Sequence, residues 1–414
     1  MNERELIYDW NVNGTRPAPA MRQVEVHDET IRDGIQCPSV KDPTIEDKLR
    51  IVRLLDQLGV SSCDLALPGA GARATQDCQR MVEMIRDEGL SIRPAAAGRT
   101  HPNDIRPIVE ITQKTGVPVE AMMFLGTSPI RAYAEGWDVD RLESLTRSSV
   151  KMAVEGGLPA SFVTEDTVRS QPETLERLFT AAVEEGADRL VLCDTVGHAT
   201  PDGVFNLVEW TVDLLKKLGV RDRVRVDWHQ HDDRGLSLVN TIYAIEAGAD
   251  RIHGTTLGIG ERVGNTSLDL LLVNLKLLGV WPGELHALSE LCQLVSEATE
   301  VPIPVGYPVF GSDAFRTGTG VHAAAVIKAQ RKGDQWLADR IYSGVPAAWF
   351  GRDQEIEIGH QSGLSNVRFW LQQRGIPEDE DVVQAIFQRA KECDAMLANE
   401  EVLAIVERVQ AAAS

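Results

Sequence analysis

Gln23-Val-Glu-Val-His-Asp-Glu-Thr-Ile-Arg-Asp-Gly34 opens the patterned part of this chain and decides its fold class. Its start, Gln23–Val26, reads as a strand, and a polar turn follows. A doubly wound open sheet usually carries a phosphate-binding glycine loop after its first strand. Asp28-Glu-Thr-Ile-Arg-Asp-Gly34 is not such a loop. Seven more short apolar runs follow: Ser62–Ala66, Ile92–Ala97, Val119–Phe124, Ala160–Val163, Arg189–Cys193, Val224–Trp228 and Asp250–His253. Helical patterns lie between them, such as Glu46–Leu58, Asp77–Glu88, Glu173–Glu185 and Leu207–Leu218. Eight strand-helix units between Met21 and Leu278 predict an α/β chain folded as a (β/α)8 barrel.

Beyond the eighth unit the pattern changes. Ala287–Thr299 reads as a helix, and Val301–Pro308 as a proline-rich linker. Arg316-Thr-Gly-Thr-Gly-Val-His322 is a glycine-rich turn entering an alanine-rich helix, and Pro377–Ser414 reads as helical and charged. The expected organisation is an N-terminal extension over 1–20, a barrel over 21–285, and linker plus small helical C-terminal subdomains over 286–414.

With 414 residues and 43% hydrophobic content, the chain can bury a large core. A net charge of -20 argues against a nucleic-acid partner, which needs clustered Lys and Arg. Residues 1–20 are polar and lack the apolar centre of a signal peptide, and no later stretch approaches a membrane span. Six scattered cysteines without a Cys-x-x-Cys pair fit reduced thiols in a cytoplasm.

Active sites of such barrels sit just past the strand ends. The polar residues gather there: Arg32 and Asp33, Arg99 and His101, Ser128 and Arg131, Glu165 and Asp166, Asp194 and Thr195. The seventh strand runs Val224-Arg-Val-Asp-Trp-His-Gln-His-Asp-Asp-Arg-Gly235. Strand residues two apart share a face, so His229 and His231 point the same way. Alone, that pair reads more readily as a polar strand end with two solvated histidines. With Asp33 and Asn265 it forms a nitrogen and oxygen donor set suited to a divalent Mg, Mn, Zn or Co ion. Such a cation can bind a 2-oxo acid and polarise its ketone, and Arg32 is placed to stabilise the resulting alkoxide. Gly258-x-Gly-Glu-Arg-Val-Gly264 has the wrong spacing for a dinucleotide loop and reads as the carrier of Glu261 and Asn265.

These motifs resemble those of the 2-isopropylmalate and homocitrate synthases. Asp28-Glu-Thr-Ile-Arg-Asp-Gly-Ile-Gln36 is similar to their Asp-x-Thr-x-Arg-Asp-Gly-x-Gln motif. Val163–Arg169, Asp194-Thr-Val-Gly197, His229–Gly235, Gly260–Asn265, Gly318-Thr-Gly-Val-His322, and Tyr342 ten residues before Arg352 match in order. The resemblance spans about residues 21–373. It implies a divalent-metal TIM barrel that condenses acetyl-CoA with a 2-oxo acid and hydrolyses the thioester to a 2-hydroxy diacid. By that resemblance Asp33, His229, His231 and Asn265 hold the metal, Arg32 polarises the carbonyl, and Glu165 and Thr195 contact the acid. Glu261 supports the site, while His322 and Tyr342 manage proton transfers of acetyl-CoA. A homodimer is implied, with the subdomain reaching a partner's site.

The acceptor is read from strand ends three and four. Arg99, His101, Ser128 and Arg131 suggest an acid with a second carboxylate, unless Arg131 only pairs with Glu135. Two other functions compete. A hydroxymethylglutaryl-CoA-lyase-like carbon-carbon lyase needs a cysteine on a late glycine-rich loop, a setting none of the six has. A barrel that only binds a metabolite would have lost ligands, and all four expected types are present.

Overall fold

The computed structural model describes residues 6–14 and 22–413, so the expected extension over 1–20 lies partly outside the described residues. Eight parallel strands close into a barrel in chain order, β1 Glu25–Asp28, β2 Ser62–Asp64, β3 Arg93–Arg99, β4 Glu120–Gly126, β5 Ala160–Glu165, β6 Arg189–Asp194, β7 Arg225–Gln230 and β8 Arg251–Gly254. β8 pairs with β1, with His27 opposite His253, and this closes the ring. The surrounding helices are α1 Ile45–Leu58, α2 Ala72–Glu88, α3 Pro102–Thr115, α4 Pro129–Glu135, α5 Val139–Glu155, α6 Pro172–Glu184, α7 Pro201–Lys217, α8 Ser237–Ala247 and α9 Leu268–Leu277. α10, Leu288–Thr299, follows.

Local chemistry explains where these elements start and stop. Thr44, His101, Ser128 and Thr200 each accept a backbone N–H in the first turn of the helix that follows. Pro102, Pro129 and Pro201 occupy first-turn positions where no N–H is needed. Gly59, Gly89 and Gly116 end α1, α2 and α3 in the left-handed conformation. The polar first turns of α2 and α7 place those helices several residues earlier than apolar periodicity alone suggests.

The barrel interior is divided by chemistry. Ala95, Met122, Val163, Val191 and Cys193, from β3 to β6, form an apolar cluster. Across from it, β7, β8, β1 and the turn after β1 contribute Asp227, Arg251, His253, His27 and Glu29, all buried. Arg251 is fully buried and held by Asp227 Oδ2 at 2.6 Å, Glu120 Oε2 at 2.8 Å and Ser62 Oγ at 3.1 Å. Arg189 donates to Asp227 Oδ1 at 2.9 Å. Buried charges are tolerable only when paired and hydrogen-bonded, and these are.

The described residues form two compact units, one within 1–283 and 290–302 and a second within 284–289 and 303–413. In the second, the short parallel strands β9 Arg316–Thr317 and β10 Glu355–Ile356 accompany α11 Gly320–Arg331, α12 Gln335–Arg340, α13 Leu364–Gln373, α14 Glu380–Glu392 and α15 Asn399–Ala413. Ile358, Val367, Leu371, Val383 and Ile386 centre its core. Among the described residues, no helix is long and apolar enough to cross a membrane.

Candidate active site

Asp33 lies in the turn after β1, His229 on β7, and His231 just beyond it. Asp33 Oδ2 is 3.6 Å from His231 Nε2 and 4.0 Å from His229 Nε2. Asn265 Nδ2 donates to the same Asp33 oxygen at 2.8 Å. Asn265 reaches this point because its N–H bonds to Gly258 O at 3.0 Å and its backbone bridges His231. The glycines make that turn possible. Gly264 has φ +97°, and a Cβ there would lie 1.8 Å from the Gly258 carbonyl oxygen.

The buried Asn265 Oδ1 has no hydrogen-bond partner, and neither does His231 Nδ1. Such orphaned atoms are uncommon in folded chains. A half-turn of this amide would face the Asn265 oxygen to the carboxylate, a repulsive arrangement unless a cation lies between. Burial, reinforced by His229, pushes His231 down to about 4, which favours the neutral ring with one nitrogen lone pair available. Burial also opposes charge on His229, but the Glu29 carboxylate outweighs it and raises that imidazole. Within the barrel, Glu29, Asp33, Asp64, Glu120 and Asp227 outnumber the guanidiniums of Arg32, Arg189 and Arg251. A divalent cation fits this donor set and would offset the surplus negative charge.

A cavity of about 290 Å³ includes Arg32, Asp33, Glu165, Thr195, His229, His231 and Glu261 in its lining. Leu67, Ala97, Met122, Phe124, Val163 and Val191 form its apolar wall. Arg32 is the cavity's basic side chain, and three carboxylates already hold it: Asp64 at 2.6 Å, Asp33 at 2.7 Å and Glu29 at 2.9 Å. Burial opposes its charge, but those carboxylates outweigh it and raise the guanidinium further. Burial likewise raises Glu165, with Arg131 opposing. The Thr195 hydroxyl accepts the Asp166 N–H at 2.9 Å. Cys193 also lines the cavity, and burial raises its thiol well above the usual range.

The expected acceptor-reading residues are placed elsewhere. Arg99 is 64% exposed and pairs with Asp104 at 2.7 Å. His101 caps α3 through the Asn103 N–H, and buried Ser128 caps α4 through the Arg131 N–H. Arg131 packs its stem over Gly126 and pairs with Glu135 at 3.1 Å and Glu165 at 3.4 Å. None of these four lines the cavity. His322 and Tyr342 belong to the second unit, where their rings lie 4.4 Å apart, with Tyr342 47% exposed.

Sequence reasoning missed Glu29 and Asp64. Glu29 Oε2 sits 2.6 Å from His229 Nδ1, and Asp64 anchors Arg32. The signal was the period-two polar face Glu25, His27, Glu29 running through the first strand into its turn.

Residues 23–297 match the HMGL-like family model. The chain is 34% identical over 376 residues to a homocitrate synthase AksA of Methanopyrus kandleri, covering 89% of this chain and 87% of that one. It is 32% identical over 410 residues to a probable 2-isopropylmalate synthase of Ignicoccus hospitalis, covering 96% of both. To a putative (R)-citramalate synthase CimA of M. kandleri it is 32% identical over 373 residues, covering 89% of this chain and 68% of that one. Among solved structures, a hydroxymethylglutaryl-CoA lyase from Pseudomonas aeruginosa shares the fold, with TM-score 0.54 and 18% identity over 67% of this chain and 93% of that one.

Proposed function

The chain belongs to the HMGL-like family, among the synthases that condense acetyl-CoA with a 2-oxo acid, and we propose that its acceptor is a 2-oxo acid with an apolar side chain. The observation that carries this reading is the wall of Leu67, Ala97, Met122, Phe124, Val163 and Val191. A second carboxylate on the acceptor would enter a cavity whose one guanidinium, Arg32, is already paired with three carboxylates, beside the carboxyls of Glu165 and Glu261. Burying an unpaired carboxylate there costs several kcal/mol, roughly the penalty of any uncompensated buried ion. The dicarboxylate expectation therefore gives way to an apolar one.

In this reading Asp33, His229, His231 and Asn265 hold a divalent cation of the Mg, Mn, Zn or Co kind. Bound there, the cation supplies Lewis acidity toward the acceptor's ketone. Arg32, clamped by Glu29 and Asp64, keeps a guanidinium at the position where negative charge develops on that oxygen. Thr195 offers its hydroxyl to the acceptor carboxylate, and Glu165, raised by burial, holds a proton more readily than an ordinary glutamate. Glu261 adds a carboxyl to the cavity lining. His322 and Tyr342 handle the proton transfers of acetyl-CoA, in a cytoplasmic homodimer where the second unit serves a neighbouring barrel. The carbon balance is simple: acetyl-CoA, the 2-oxo acid and water give a 2-hydroxy diacid and free CoA. A lyase assignment has less support, because the synthases exceed 30% identity while the lyase likeness stays at the level of fold.

Measuring CoA release with 2-oxoisovalerate and 2-oxoglutarate side by side tests the acceptor. A clear preference for 2-oxoisovalerate supports the apolar reading, and a preference for 2-oxoglutarate overturns it.

A further inference from the structure

The groups behind His229 form a continuous hydrogen-bonded line across the barrel. Glu29 Oε2 meets His229 Nδ1 at 2.6 Å, while Glu29 Oε1 accepts from Arg32 Nη2 at 2.9 Å and meets His253 Nδ1 at 3.2 Å. The other nitrogen of His253 meets Asp227 Oδ2 at 3.2 Å. Asp227 is fixed in turn by Arg251 at 2.6 Å and Arg189 at 2.9 Å. All of Glu29, His253, Asp227 and Arg251 are 0–1% exposed. His253 thus spans Glu29 and Asp227, with one ring nitrogen within hydrogen-bond distance of each carboxylate. Glu29 is placed to accept the Nδ1–H of His229, and in the neutral ring this directs the Nε2 lone pair to the side facing Asp33.

We propose that Glu29 is a positioning residue for the cation site, fixing the tautomer and ring orientation of His229, and that His253 and Asp227 hold Glu29 in place. This rests on the reading of Asp33, His229 and His231 as that site. A carboxylate hydrogen-bonded to the far nitrogen of a ligating imidazole raises its basicity and removes the cost of orienting it. His27, Glu29 and His253 also lie close enough to form a three-residue cluster of their own. Both nitrogens of His253 are already engaged by carboxylates, however, and Glu29 is shared with Arg32 and His229, so the cluster serves as support.

The test is Co²⁺ binding to the full chain, followed by calorimetry and by the visible absorption of the bound ion. Glu29→Ala weakens Co²⁺ binding by roughly 10–100-fold. Glu29→Gln, whose amide oxygen still accepts from His229, falls at the low end of that range, and so does His253→Gln. In His253→Gln the Co²⁺ concentration for half-maximal CoA release rises while kcat at saturating Co²⁺ recovers, which general loss of packing would not produce. Wild-type Co²⁺ affinity in Glu29→Ala overturns the proposal. Should that variant not fold, unchanged affinity in Glu29→Gln overturns it equally. His231→Ala separates the premise from the proposal: if it too binds Co²⁺ as the wild type does, the cation site itself is misplaced.

Discussion

Arg251→Met removes a guanidinium from the barrel floor while roughly keeping its volume, and the structure sets the size of the effect. Arg251 makes two hydrogen bonds to Glu120, one to Asp227 and one to Ser62. After the substitution Asp227 retains Arg189, but Glu120 retains only the Ser161 hydroxyl and becomes a buried, nearly unpaired carboxylate. Breaking a buried pair from one side costs about 3–5 kcal/mol. For a barrel of this size each kcal/mol moves the melting temperature by roughly 2 °C, so the midpoint should fall by roughly 6–10 °C. Differential scanning calorimetry measures it directly. Adding Glu120→Gln to Arg251→Met should recover a large part of the loss, because the orphaned group is then neutral and can still bond Ser161. A single variant melting within about 2 °C of wild type, or a double variant no better than the single, would refute the argument that the ionic floor is held by pairing.

Three further outcomes follow from the same geometry. Gly264→Ala forces a Cβ onto the Gly258 carbonyl at a positive φ and displaces Asn265, so Mn²⁺ affinity measured by calorimetry should drop at least tenfold, a loss of about 1.4 kcal/mol. Ala97→Leu fills the apolar wall, so KM for branched acceptors should rise by roughly 10–200-fold with a smaller effect on pyruvate, read from CoA release. Burial pushes the Glu120 carboxyl up, but Arg251 outweighs it and holds the group down at about 2, below its ordinary 4.5. Its stabilising contribution is therefore complete above about pH 4.5 and lost as pH falls toward 2, so acid unfolding followed by circular dichroism should be steep in that window and shallower in Glu120→Gln.

The barrel was legible because apolar runs and amphipathic segments alternate eight times, and each run lies on or overlaps an observed strand. Strand ends were harder to read. β1 continues through His27 and Asp28, and β7 through His229 and Gln230, because the interior they face is ionic and their inward residues are polar. Hydrophobicity stops too early where a strand faces charge. The convergence of Asp33, His229 and His231 was foreseeable from strand alternation and barrel topology together. Arg99, His101 and Ser128 have local roles that polarity alone did not reveal, because a residue at a strand end is also a residue before a helix. Pro102 and Pro129, directly after His101 and Ser128, were the signal that these side chains cap helices. The Glu29–His229 bond joins residues 200 apart, and no local pattern announces such a pairing.

The most direct measurement of the central claim is a carbon-carbon bond seen forming. Acetyl-CoA labelled with ¹³C at the methyl carbon, incubated with 2-oxoisovalerate, Mn²⁺ and the full chain, should give a 2-hydroxy diacid carrying the label in a new methylene beside the tertiary alcohol, detected by NMR, with stoichiometric free CoA. Chelation of the metal should abolish it. Labelled acetate as the sole product, or condensation unaffected by chelator, would contradict the account.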